Sequence, residues 1–160
     1  MGIMDTGLEH KLQRLKSFAN SQFPILSVYL GYIEEKSPHV SLLISELHSM
    51  IHQNLSQTEQ QIFKDDLIKI ENYLREFYDR KGKHSQVFFS AGKNLWEVLN
   101  FEFYLPQLIL VSYSPYIKLI TEAMQKYKRY LVLLVDQKKG RLFTIYLGKI
   151  EEEKQIYNGQ

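Results

Sequence analysis

Residues 85–99 read Ser85-Gln86-Val87-Phe88-Phe89-Ser90-Ala91-Gly92-Lys93-Asn94-Leu95-Trp96-Glu97-Val98-Leu99, and here the chain changes period. Val87, Phe88 and Phe89 make a short apolar run within Gln86–Ala91, which predicts a buried strand. Ala91-Gly92-Lys93-Asn94 carries the residues of a turn. Leu95, Leu99, Phe101 and Phe103 then fall at odd positions and alternate with Asn100 and Glu102. That two-residue period predicts a strand with one solvated side.

Upstream of this change the sequence is mainly helical. Thr6 and Glu9 form a capping box, and Leu8, Leu12, Leu15 and Ala19 continue it, so a first helix is expected over roughly residues 6–19. Ile25-Leu26-Ser27-Val28-Tyr29-Leu30, short and stopped by Gly31, predicts a buried strand. Pro38 opens a second helix with the stripe Val40, Leu43, Ile44, Leu47 and Ile51. Ser56 and Glu59 cap a third, which carries Phe63, Leu67, Ile70, Leu74 and Phe77 on one face. Asp65–Lys69, Glu71–Arg75 and Glu76–Arg80 lie four apart on its exposed side.

Downstream, Leu108–Val111 predicts another buried strand, and Ser114-Pro115 a helix start running to about Tyr127. Tyr130–Val135 and Arg141–Leu147 flank the loop Asp136-Gln137-Lys138-Lys139-Gly140, the pattern of a hairpin. Helices that mostly precede strands indicate an α+β fold. The expectation is helices packed on a mixed or antiparallel sheet, followed by a C-terminal β-hairpin.

The composition of the 160 residues, 44% hydrophobic and 24% charged, is that of a globular chain with enough apolar surface for a core. Eleven Tyr, nine Phe and one Trp supply its large pieces. Phe88, Phe89, Trp96, Phe101, Phe103 and Tyr104 could stack on bases, but as strand residues they are better read as core. Cysteine is absent, which excludes disulfides, thiolate nucleophiles and iron–sulfur clusters. The run Phe103–Val111 is broken by Pro106 and Gln107 and is too short for a bilayer. Asp5, Glu9, His10 and Lys11 interrupt the N-terminal residues where a signal peptide would be apolar. A soluble, cytoplasmic protein without membrane partners is expected.

The formal charge of +2 is unevenly spread. Residues 118–149 hold Lys118, Lys126, Lys128, Arg129, Lys138, Lys139, Arg141 and Lys149 against Glu122 and Asp136. Glu151, Glu152 and Glu153 follow. A basic excess attracts phosphate backbones through counterion release, and it equally fits a solvated helix end and turn tip.

Signals for chemistry are sparse. His48 and His52 have helical metal-ligand spacing, but Ser49 stands where a zinc-protease helix has its glutamate, and no third ligand is suggested. There is no Gly-x-Ser-x-Gly elbow, phosphate loop or dinucleotide fingerprint. Asp65/Asp66 and Glu34/Glu35 are adjacent, and adjacent side chains diverge. No catalytic residue, metal site or cofactor is assigned.

Four stretches together resemble the bacterial relatives of archaeal and eukaryotic class 1 peptide-chain release factors. Ile25–Leu30 is similar to the opening strand of their N-terminal domain. Ser85–Ala91 with Leu95-Trp96-Glu97-Val98-Leu99 is similar to its strand, turn and Trp-Glu segment. Ser114-Pro115-Tyr116 resembles the lead-in to the second domain. Tyr130–Asp136, a turn, Arg141-Leu142-Phe143 and Leu147-Gly148-Lys149-Ile150-Glu151-Glu152 resemble the first hairpin of the central domain. The resemblance implies a release-factor-like N-terminal domain over residues 1–128 and the start of a central domain over 129–160.

The family's two functional motifs do not carry over. At the place of its Asn-Ile-Lys-Ser codon loop stands Asn54-Leu55-Ser56-Gln57, without lysine. Its Gly-Gly-Gln loop has no counterpart, since Asn158-Gly159-Gln160 follows the first hairpin too closely. The resemblance therefore implies a ribosome- or RNA-associated, non-enzymatic factor of the termination, rescue or hibernation kind, without peptidyl-tRNA hydrolysis by itself. Its contacts with structured RNA would be the third helix and Lys126, Lys128, Arg129, Lys138, Lys139 and Arg141. A protein–protein module that dimerises through the hairpin, residues 130–147, is the alternative, since two strands alone are marginal in water. An RNA hydrolase is a second, suggested only by the ribonuclease H-like fold of such central domains.

Overall fold

The computed structural model describes residues 6–32, 39–78, 84–126, 130–146 and 149–157. The element order is α1 (Thr6–Lys16), β1 (Ile25–Gly31), α2 (Val40–Asn54), α3 (Gln57–Ile62), α4 (Lys64–Phe77), β2 (Ser85–Ala91), β3 (Leu95–Phe101), β4 (Leu108–Ser112), α5 (Lys118–Lys126), β5 (Tyr130–Val135), β6 (Lys139–Tyr146) and β7 (Lys149–Tyr157). The fold is α+β, as the sequence predicts. Two compact units are formed, one from His10 to Ile117, the other from Met1–Glu9 with Lys118–Gln160.

In the first unit the sheet order is β3-β2-β1-β4, antiparallel throughout. All seven residues of β1 and all seven of β2 are buried. Their apolar runs do not alternate because both faces of the sheet are covered. On one face Leu26, Val28, Leu30, Phe88, Val98 and Ile109 share a core with Leu43, Ile44 and Leu47 of α2 and Ile70 and Leu74 of α4. On the other, Ile25, Tyr29, Val87, Phe89, Leu99 and Phe101 are also buried. Leu12 and Leu15 of α1 are buried too, and Arg14 reaches Glu97 of β3 at 3.1 Å.

The reading of β3 changes on its even side: Val98 is buried in the core shared with α2 and α4, Trp96 is half-buried, and within the strand only Asn100 is exposed. On the odd side, with Leu95, Leu99 and Phe101, Glu97 is buried and held by Arg14 and by Lys11 at 3.6 Å. A buried carboxylate needs such partners. β4 is the outer strand beside β1, and of its residues only Ile109 is buried, where a fully buried strand was expected. Tyr104 is exposed rather than core.

Three helix boundaries also differ from the sequence pattern, the first being that α1 ends at Lys16 and not near residue 19. The third predicted helix is two. Its capping box is present, with the Glu59 N–H donating to Ser56 Oγ at 3.1 Å and the Ser56 N–H to Glu59 at 2.9 Å. At Phe63 the backbone leaves helical geometry, with φ −100° and ψ 16°, and the buried Phe63 ring joins the core between α3 and α4. The helix expected from Ser114 begins only at Lys118. Ser114 Oγ accepts from the Asn20 N–H at 2.9 Å, and the Tyr116 N–H donates to Ser27 Oγ at 3.0 Å. The Tyr29 hydroxyl donates to the Tyr116 carbonyl. These bonds tie residues 114–116 to β1 and to Asn20 before it, in place of a helix turn.

The β2–β3 turn is fixed from α4. Asp66, buried, accepts the Gly92 N–H at 2.8 Å and the Ser90 hydroxyl. Gly92 has φ +55°, a value that favours glycine. Asp66 thus has a structural task that its neighbour Asp65 does not share.

The second unit holds a three-stranded antiparallel sheet, order β5-β6-β7. The expected hairpin is present, and β7 adds a strand that the sequence pattern did not predict. The register Val135↔Gly140 leaves a four-residue loop, closed by the Asp136 N–H donating to the Lys139 carbonyl at 2.9 Å.

Gly31 permits a close backbone approach in the first unit. A Cβ there would stand 1.8 Å from the Leu105 carbonyl oxygen. Backbone oxygen cannot yield as a flexible side chain can, so Gly31→Ala is expected to destabilise by about 3 kcal/mol, the upper end of ordinary overpacking. Urea unfolding checks this, and an unchanged midpoint would contradict it.

Candidate ribosome or RNA interface

The tip of the β5–β6 hairpin is built by one carboxylate. Asp136 accepts the N–H groups of Lys138 at 2.7 Å and Lys139 at 2.8 Å. These bonds hold its carboxyl below the usual carboxylate range. An Asp at the first position of a tight loop forms this Asx-type turn readily. Both lysine side chains are exposed at the tip, and among the described residues neither has an ion-pair partner.

Arg141 is placed differently. Its guanidinium donates to Glu153 of β7 through Nε at 2.9 Å and through a second nitrogen, and lies over the Phe143 ring at 5.2 Å. Part of the basic excess is therefore neutralised by the acidic run that follows it. Lys118 similarly approaches Glu122, at 3.8 Å along α5. Lys126 is exposed at the end of α5, while Lys128 and Arg129 lie outside the described residues.

One residue near the tip escaped the sequence reading. Tyr157 stands opposite Lys139 in the register and is 68% exposed. With Leu133, Val135, Ile156 and the two lysines it lines a shallow groove. An exposed ring beside cations is a surface on which a base can stack. The signal was hidden because Glu151–Glu153 obscures the two-residue period of β7.

The remaining candidates fall into structural roles. Asn54 caps α2 by donating to the Met50 carbonyl at 3.0 Å, Leu55 is buried, and Ser56 caps α3. The segment at the place of the codon loop is thus a packed interhelix turn. Trp96 is half-buried against the core, with the Lys69 ammonium 4.3 Å from its ring centre, where the sequence paired Lys69 with Asp65. His48 Nε2 lies 3.0 Å from Glu71, which also binds Arg75 at 2.7 Å. His52 is exposed, and among the described residues no three His, Asp or Glu side chains converge as for a metal ion.

Residues 115–158 match the model of bacterial archaeo-eukaryotic release factor family 10. The match spans α5 and the three-stranded sheet, and includes the hairpin whose Arg-Leu-Phe pattern carries the resemblance. Ile25–Leu30 and Ser85–Leu99 lie outside it. No curated protein matches the chain. A solved structure described as an archaeal protein is similar in fold, with a TM-score of 0.51 and 13% identity over 93% of this chain. The chain spans 44% of that structure's length. No helix among the described residues is long and apolar enough to cross a membrane.

The Glu71 cluster gives a pH test. Hydrogen bonds from Arg75, then from His48, lower the Glu71 pKa. A carboxylate whose folded pKa lies below its unfolded value contributes stability at neutral pH and loses it as acid protonates it. Glu71→Gln is expected to unfold at lower urea than the parent at pH 7, with the gap closing below about pH 4. A gap that stays constant would contradict the ion-pair origin.

Proposed function

We propose that the chain is a ribosome- or RNA-associated factor of the termination, rescue or hibernation kind. It acts by shape and phosphate recognition, without hydrolysing peptidyl-tRNA by itself. The observation that carries this reading is the hairpin tip, where two lysines without an ion-pair partner among the described residues project from a sheet whose sequence matches a release factor family. A tip of this kind suits phosphate contact, because Asp136 engages the backbone N–H groups of Lys138 and Lys139 and leaves both side chains exposed. Lys126, Lys128 and Arg129 would extend the contact along the chain. Arg141 joins it with less weight, since Glu153 already occupies its guanidinium. Tyr157 would add stacking on an unpaired base. Residues 129–160, with Lys126 and Lys128 just before them, would form the contacting part of the chain.

Sedimentation with ribosomes across a salt series tests the reading. Each lost phosphate contact should reduce the slope of log affinity against log salt by about 0.7 to 0.9. Lys138→Gln with Lys139→Gln is expected to lower affinity and flatten the slope by roughly two such steps. Arg141→Gln should change the slope less. Binding that is absent at low salt, or a slope that the double substitution leaves unchanged, would overturn the proposal.

A further inference from the structure

The two edges of the three-stranded sheet differ in kind. β7, on one side, carries Glu152, Glu153 and Lys154, with Lys154 Nζ 3.3 Å from Glu152. Charge on an outer strand discourages the addition of another. β5, on the other, reads Tyr-Leu-Val-Leu-Leu-Val, with no charge, proline or glycine. Among the described residues no strand pairs with its free side. Leu133, Leu134 and Val135 are 54%, 55% and 70% exposed, although successive strand residues point to opposite faces. An uncharged outer strand, apolar on both faces, carries neither the charges nor the proline that usually discourage pairing.

We propose that β5 pairs antiparallel with β5 of a second copy, joining two sheets into one of six strands. The choice of a second copy rests on the charge pattern. A twofold axis normal to the sheet near Leu133 sets Leu133 opposite its counterpart, Val132 opposite Leu134, and Leu131 opposite Val135. No charged side chain is then opposed within the paired strands. Antiparallel pairing also sends the two Lys138–Lys139 tips to opposite ends of the joined sheet, whereas parallel pairing would set them side by side. The pairing consumes both unprotected edges and leaves the charged β7 strands outermost, so it closes as a dimer and does not extend into a fibre. The inference is independent of RNA binding.

The natural absence of cysteine makes the test direct. Light scattering on the 160-residue chain at tens of micromolar should give twice the chain mass, and Leu133→Lys should halve it with unchanged circular dichroism. Leu133→Cys should form a disulfide-linked dimer on mild oxidation, since the two positions meet at the axis. Tyr104→Cys, exposed in the other unit, should not cross-link at a comparable rate. A monomeric parent chain, or Leu133→Cys that cross-links no faster than Tyr104→Cys, overturns the proposal and leaves the edge to a strand from a different protein.

Discussion

Burial of β1 on both faces is the constraint on which the first unit depends. A strand with seven buried residues needs a neighbour on each side and a layer above and below. β2 and β4 supply the neighbours, α2 and α4 one layer, and α1 with residues 114–116 take part in the other. Each accessory bond serves this arrangement. Ser27 and Tyr29 on β1 engage Tyr116, which keeps that segment extended. Asp66 binds the β2–β3 turn to α4, and Glu97 binds β3 to α1. The buried polar groups thus connect elements that hydrophobic packing would leave free to slide.

Much of this was legible in the residues. The capping box at Ser56, the runs of β1 and β2, and the β5–β6 hairpin are local signals, and local geometry decides them. The failures share a cause. Phe63 ends a helix because the core takes its ring, Ser114 forgoes its cap because Asn20 is nearby, and the even side of β3 is not solvated because Val98 packs into the core shared with α2 and α4. Each depends on a partner distant in sequence. β7 was missed for a different reason: Glu151–Glu153 masks its alternation.

The candidate surface divides in the same way. Lys138 and Lys139 could be placed at a turn tip from their loop alone. Arg141 could not be separated from them, because its partner Glu153 is contributed by a strand twelve positions on. The acidic run after the basic segment is therefore part of the surface's design. It pairs one cation, which stays exposed, and leaves the two at the tip projecting. A charge count treats these residues as equivalent, whereas the sheet does not.

The most direct test of the central claim is contact mapping on the ribosome. A photoreactive side chain at position 138 should cross-link to ribosomal RNA, while the same group at position 104 on the first unit should not. Cross-links from 138 to protein alone, or equal RNA cross-linking from both positions, would contradict an RNA interface at the hairpin tip.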